Sequence, residues 1–317
     1  MLFSSYIILV STICWRITIA IFNRSIHKEC LVSSHSIDGF GHQLEAKISC
    51  IIAGILSAKI SYIHKSFGLM DHSNFDINFP AMVENFTNIG FGSYRVDDLG
   101  SEYKFRAFSG YDARWIISAD AGIEKCLPTI VNIVDNCWDI VYYEPMVSAL
   151  DVARHEVQRR YFSVPKPNPN LIPGKFNVII HIRRGDAGPR ILPLGQVHDQ
   201  SKHDIYKLLL FPPLSITRYY VSGIEHFKRR HRNLVFWVIS DDPQWSGINE
   251  MAQLAALDSD FYLPSNTSGH KSLLFDFHRL VMAHGIIASD SSVSFSAILI
   301  GNATDVVVSP RTRLEEW

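Results

Sequence analysis

The apolar positions fall into a recurring order of short runs and helical stripes. Cys30-Leu31-Val32-Ser33 reads as a first strand. A glycine-bearing turn follows, Asp38-Gly39-Phe40-Gly41-His42-Gln43-Leu44, and then Leu44, Ile48, Ile51, Ile52 and Ile55 recur at helical spacing. Strand character resumes around Ile60 and Tyr62. Strand, turn, helix, strand is the opening of a Rossmann-like half. The later part of the chain repeats this order. Residues 177–182 carry Val178, Ile179, Ile180 and Ile182, a run suited to a strand buried on both faces of a parallel sheet. After it come a helix with Ile216, Tyr219, Tyr220, Ile224 and Phe227 on one side, the strand 234–239, a helix over 271–284, the strand 286–289, another apolar helix and the strand 306–308. The pattern predicts an α/β protein that opens on a Rossmann-like half. The Pro-rich stretch Val164-Pro165-Lys166-Pro167-Asn168-Pro169-Asn170 continues neither a helix nor a central strand, so it is the expected linker. The domains are then 25–170 and 171–317, with 1–24 set apart. Residues 65–176 yield only short apolar runs, such as Trp115-Ile116-Ile117 and Ile140-Val141-Tyr142-Tyr143.

Composition narrows the function classes. The chain has 317 residues, 47% hydrophobic and 19% charged, which is a globular composition with room for two domains. A formal net charge of −1 offers no electrostatic case for nucleic acid as a partner. Residues 2–22 are apolar apart from Arg16 and a few Ser and Thr. That segment reads either as a single membrane anchor or, with the small-residue pattern Thr18-Ile19-Ala20, as a cleaved signal peptide. Positive charge follows it at Arg24 and Lys28, which disfavours a cytoplasmic N-terminus. The expected location is the secretory pathway: secreted, or, against that flanking charge, Golgi membrane, type II. Asn-x-Ser/Thr acceptors at Asn23, Asn85, Asn266 and Asn302 agree with that. Cys30, Cys50, Cys126 and Cys137, outside the apolar segment, allow three pairings or four buried free thiols.

Candidate chemistry gathers at strand ends. The run 177–182 breaks into His181-Ile182-Arg183-Arg184-Gly185-Asp186. In an open α/β sheet, ligands collect at the carboxyl ends of the strands. Arg offers a planar fork of donors suited to phosphate, and it stays charged at any working pH. The competing reading is an ion pair with Asp186 plus one exposed Arg. The strand 234–239 ends in Ser240-Asp241-Asp242-Pro243, where an acid would accept from nucleoside hydroxyl or N–H groups; the competing reading is helix capping by Asp242 or Ser240. The third tip, Asp290-Ser291-Ser292-Val293-Ser294-Phe295-Ser296, clusters hydroxyls at a strand-to-helix junction, a ready anion site, whereas a cap alone needs one Ser. Gly39 and Gly41 permit a tight turn and close approach to a ligand. A dinucleotide fingerprint would place a third Gly where this chain has Leu44, so a nicotinamide site fits poorly. Asp258-Ser259-Asp260 has the D-x-D form of metal-dependent glycosyltransferases, but it falls at the end of a predicted helix rather than off a buried strand.

These motifs resemble those of the fucosyltransferase superfamily, which spans α1,2-, α1,6- and protein O-fucosyltransferases. HIRRGD is similar to the His-x-Arg-Arg signature, closest in form to the α1,2 enzymes. The turn Gly39-Phe40-Gly41-His42-Gln43-Leu44 resembles the N-terminal motif of the α1,6 branch. YYVSGIEHFKRR, VFWVISDDPQW and SDSSVSF are similar, in order and spacing, to three α1,2 blocks. Asp290 stands where that family has Asn, and Phe295-Ser296 where it has a Trp pair. The resemblance implies a GT-B-like fold, with two Rossmann-like domains facing a donor/acceptor cleft. It implies metal-independent, inverting transfer of L-fucose from GDP-β-L-fucose to a hydroxyl of a glycan or glycoprotein acceptor, α1,2 favoured, without a cofactor. Arg183 would grip the β-phosphate as the catalytic residue. His181 would touch the guanosine, and Asp241 or Asp242 would hold guanine or ribose. Ser291 and Ser292 would hold the pyrophosphate, while Gly39, Gly41 and Gln43 approach from the other domain. Asp186 is counted with the donor site and, together with His198 and Asp199, is a candidate base; the α1,6 branch has a Glu where this chain has Ile191. The alternatives are a non-catalytic nucleotide-sugar or glycan-binding protein on the same scaffold, and the D-x-D enzyme.

Overall fold

The structure, a computed structural model, describes residues 30–34, 39–56, 60–69, 77–108, 129–134, 150–183, 213–255, 261–262, 270–289 and 291–308. The first half contains β1 (Cys30–Ser34), α1 (Phe40–Leu56), β2 (Ile60–His64), α2 (Phe79–Thr87), β3 (Tyr94–Arg95), β4 (Lys104–Phe108), β5 (Ile130–Val134) and α3 (Leu150–Tyr161). The second half contains β6 (Phe176–Ile182), α4 (Pro213–Arg230), β7 (Leu234–Ser240), α5 (Gly247–Leu254), β8 (Phe261–Tyr262), α6 (His270–Val281), β9 (Gly285–Ile287), α7 (Ser292–Ile300) and β10 (Asp305–Val307). Each half builds one five-stranded sheet, in the orders β3-β2-β1-β5-β4 and β10-β9-β6-β7-β8. Every pairing is parallel. This is the expected α/β class: two Rossmann-like halves in a GT-B-like arrangement.

The hydrophobic pattern explains the second sheet. In β6 every residue from Asn177 to Ile182 is buried, and β6 lies at the centre of the strand order. Alternation sorts its side chains by face. Val178, Ile180 and Ile182 pack with Ile224 and Phe227 of α4 and Met251 of α5. Ile179 points the other way and joins Phe277 of α6 and Val293 of α7. That second cluster also takes in Leu44 and Ile48 of α1 and Val157 and Tyr161 of α3, so one apolar core runs across both halves. Polar contacts reinforce the seam. Phe40 meets Phe277 edge-on at 5.2 Å, the Tyr161 hydroxyl lies 3.0 Å from His278 Nδ1, and Gln158 Nε2 donates to the Gly301 carbonyl at 3.2 Å. Residues 165–172 form neither helix nor strand, as expected of the linker. Lys166 docks that linker, donating to the Phe86 carbonyl at 2.6 Å with its Nζ 4.3 Å from the Tyr161 ring centroid.

Several expectations change in detail. The helix after β1 begins at Phe40, so Gly41 belongs to its first turn rather than to the preceding loop. Cys50, buried on α1, is disulfide-bonded, so the reading of four free thiols does not hold. The apolar segment 2–22 and the runs 115–117 and 140–143 lie outside the described residues. Among the described residues no helix is long and apolar enough to cross a membrane.

Gly41 lies where the first turns of α1 and α7 meet. A Cβ on Gly41 would lie 2.7 Å from Ser292 Oγ, Val293 Cγ2 and the Val293 backbone N. Ala is ordinarily better than Gly inside a helix by about 1 kcal/mol. Here a backbone atom is among the obstacles, and overpacking of about 1–3 kcal/mol should win. Gly41→Ala is therefore expected to destabilise, read as a lower denaturant midpoint with an unchanged m-value. A Gly41→Ala protein as stable as wild type would show that the two helices are not in contact.

Candidate functional site

Parallel register assembles the site. Ile182 pairs with Ser240, so the next residues in line are Arg183 and Asp241. Arg183 shares its face with Ile179, and Asp241 shares its face with Ile239; both isoleucines belong to the core that joins the halves. The two charged side chains thus project side by side from the carboxyl edge toward the first half. Arg183 Nε lies 3.3 Å from Asp241 Oδ2, with each side chain about a third exposed, at 32% and 29%. An ion pair this exposed adds little stability. A guanidinium held at a sheet's carboxyl edge remains well placed for an anionic ligand.

His181 stands one pleat back on the same face and is 6% exposed. Its Nδ1 lies 2.5 Å from Ser294 Oγ and 2.9 Å from Ser289 Oγ. Ser289 follows β9, and Ser294 lies in the first turn of α7. Burial lowers the His181 pKa from 6.5 to about 4; Asp241 opposes that shift and Arg183 adds to it. The imidazole is therefore neutral at physiological pH. Tyr220 donates to the His181 carbonyl at 3.1 Å. Tyr219 donates to the Ala288 carbonyl at 2.7 Å, with the Val307 carbonyl at 3.1 Å. The adjacent tyrosines of α4 thus secure the carboxyl ends of β6, β9 and β10.

The serines of the third tip divide the work. Ser291 is the N-cap of α7, its Oγ accepting from Val293 N at 3.3 Å. Ser292 opens the helix and faces Gly41. Ser294, with Ser289, holds His181. The α7 N-terminus carries the partial positive charge of a helix start. At the second tip, Ser240 Oγ accepts from Asp242 N at 3.0 Å. The N-cap of α5 is Ser246, without a side-chain bond, so neither Asp242 nor Ser240 caps that helix. The capping account of Asp242 or Ser240 therefore fails.

The first half contributes less directly. Gly39 and Gly41 flank the start of α1, and the Gly39 carbonyl accepts from Gln43 N at 3.1 Å. Gln43 is fully buried, and its side chain binds the loop after β2. Its Oε1 accepts from Gly68 N at 2.9 Å and its Nε2 donates to the Leu69 carbonyl at 3.3 Å. Gln43 thus holds that loop in place. Lys47, also fully buried, donates from Nζ to the Lys65 carbonyl at 2.6 Å and to Ser34 Oγ at 3.3 Å, bridging the carboxyl ends of β1 and β2. Burial pulls its pKa down to about 7, against the pull of Glu84. Asp186 lies outside the described residues, as do Arg184, His198, Asp199, Asp290 and residues 256–260 with the D-x-D tripeptide. Among the described residues no cluster of His, Cys, Asp and Glu could hold a metal ion.

No protein-family model matches the chain, and no curated protein matches its sequence. Among solved structures it is similar to NodZ α-1,6-fucosyltransferase soaked with GDP-fucose, at 15% identity and TM-score 0.41 over 86% of this chain and 93% of that one. Fucosyltransferase NodZ from Bradyrhizobium shares 15% identity at TM-score 0.43, over 86% and 94% respectively. UDP-GlcNAc 2-epimerase from Neisseria meningitidis bound to UDP-GlcNAc shares 10% identity at TM-score 0.36, over 90% and 84%.

The buried neutral imidazole carries a stability signature. With its folded pKa near 4 and an ordinary value of 6.5, the unfolded chain binds the extra proton first as pH falls. The contribution is complete above pH 6.5 and declines toward pH 4, by an amount on the order of 3 kcal/mol. His278, also lowered to about 4, adds to the same limb. His181→Gln is expected to flatten the decline of melting temperature between pH 6.5 and 4. An unchanged slope would contradict a buried, neutral His181.

Proposed function

We propose that this chain is a fucosyltransferase that takes L-fucose from GDP-β-L-fucose and passes it, with inversion and without a metal, to a glycan hydroxyl. The observation that carries the reading is the placement of Arg183: a guanidinium at the carboxyl edge of the second sheet, one pleat from a neutral His181 that touches the first turn of α7. Arg183 would grip the β-phosphate of the donor. As the sugar–phosphate bond breaks, negative charge accumulates on the leaving diphosphate, and a fixed cation there stabilises the transition state more than the ground state. Asp241, which pairs with Arg183, and the uncommitted Asp242 are suited to nucleoside hydroxyl and N–H donors. The α7 N-terminus with Ser291 and Ser292 is suited to the pyrophosphate. Gly39 and Gly41 bring the first half close to the same edge.

The linkage reading, α1,2, rests on the resemblance of the His181–Asp186 hexapeptide and the three later blocks. For the compartment, the secretory pathway is favoured by the Cys50 disulfide, which suits an oxidising environment, and by exposed acceptors at Asn85 and Asn302. The expected division at residues 170 and 171 falls within the linker.

Two measurements check the reading. Arg183→Lys keeps the charge but loses the planar fork. It is expected to lower kcat for fucose transfer by roughly 10²–10³ while the melting temperature barely moves. A folded Arg183→Lys protein with near-normal turnover would defeat the assignment. GDP-fucose that binds but is never consumed, across a screen of glycan and peptide acceptors, would make the chain a nucleotide-sugar-binding protein instead.

A further inference from the structure

His181 carries more organisation than a strand-end contact needs. Two hydroxyls from two different elements converge on one ring nitrogen: Ser294 Oγ at 2.5 Å and Ser289 Oγ at 2.9 Å from Nδ1. The two hydroxyl oxygens are 3.4 Å apart. Two oxygens around one nitrogen suit a single N–H shared between two acceptors, a three-centre bond. Two hydroxyl protons competing for one in-plane lone pair suit the geometry less well, because each donor needs that direction to itself. The Nδ1–H tautomer also leaves both hydroxyl protons free to turn elsewhere. Nε2 is then the bare nitrogen, and no other described residue hydrogen-bonds to it. It is not among the buried atoms left without a partner, so Nε2 is not fully enclosed.

We propose that Ser289 and Ser294 are positioning residues that share the Nδ1–H of His181 and so fix its tautomer, with its Nε2 lone pair presented as a hydrogen-bond acceptor on the same strand end as Arg183. The pair then reads a ligand in two complementary ways: Arg183 donates to phosphate oxygen, and His181 accepts from a hydroxyl or N–H nearby. A phosphate oxygen has no proton to offer Nε2, so the two side chains do not compete for the same group. Among the described residues the charged groups that act on the ring are Arg183, just past β6, and Asp241, just past β7, whose effects on it oppose each other. Ser289, after β9, and Ser294 of α7 face it with hydroxyls, and the Tyr220 hydroxyl of α4 binds its carbonyl. Burial then keeps the ring uncharged through the neutral range.

The consequence for ligand affinity rests on the donor reading above; the tautomer does not. Nitrogen-15 NMR of histidine-labelled, ligand-free protein reads the two ring nitrogens directly. The expected result is one neutral tautomer for His181, Nδ1 protonated and Nε2 bare, unchanged from pH 5 to pH 8. In the double variant Ser289→Ala, Ser294→Ala the ring is expected to become a mixture of the two neutral tautomers. GDP affinity is expected to fall by roughly tenfold, about one hydrogen bond. A wild-type His181 protonated at Nε2, or one that titrates between pH 5 and 8, would overturn the proposal. A double variant whose tautomer matches wild type would do the same. GDP failing to bind the wild-type protein would instead remove the donor reading and leave the tautomer result standing.

Discussion

The parallel pairing of β6 with β7, continuous from Phe176 opposite Leu234 to Ile182 opposite Ser240, is the constraint on which the site depends. Side chains on both strands alternate, and a slip of one residue would turn each set to the other face. The buried residues oppose such a slip. Val178, Ile180 and Ile182 would leave the core formed with α4, and Ile179 would leave the core formed with α6 and α7. With the register fixed, Arg183 and Asp241 come out adjacent and on the face toward the first half. Hydrophobic burial along seven residues therefore positions a polar contact that is itself worth little energy.

The second constraint is that the halves are not separable bodies joined only by a chain. Their common core places α1 against α7, and Gly41 lets the first turns of the two helices meet. Both helices then present their positive ends at the edge that carries Arg183 and His181. The polar residues around this edge are arranged by one another. Gln43 fixes the loop after β2, Tyr219 and Tyr220 secure three strand ends, and Ser289 and Ser294 bracket the imidazole. Preorganisation of this kind spares a bound anion the cost of ordering its own donors.

Much of this was legible in the chain itself, for a physical reason. β6, β7 and β9 are buried largely on both faces and read as mainly apolar runs, while the helices between them keep a helical stripe. The first half was harder. β4 reads Lys-Phe-Arg-Ala-Phe, and β5 places a buried Asn132 in mid-strand, where its side chain donates to the Leu31 carbonyl. Such strands are defined by their partners, not by their own composition. The site showed the same divide. Arg183 and Asp241 were each recognisable at a strand tip, but their pairing required the register between strands more than 50 residues apart. Ser289 and Ser294 could not be told from ordinary capping serines until β9 was placed beside β6. Gln43, read from its motif as a ligand contact, also supports a loop, and that role comes from residues 68 and 69, which its motif does not include.

If the carboxyl edge of the second sheet is the donor site, a crystal structure of the protein grown with GDP tests that most directly. Diphosphate density against the Arg183 guanidinium and the first turn of α7, with Asp241 released from or sharing that guanidinium, is the predicted result. Diphosphate bound elsewhere, with the Arg183–Asp241 pair intact and the α7 N-terminus empty, would contradict the account.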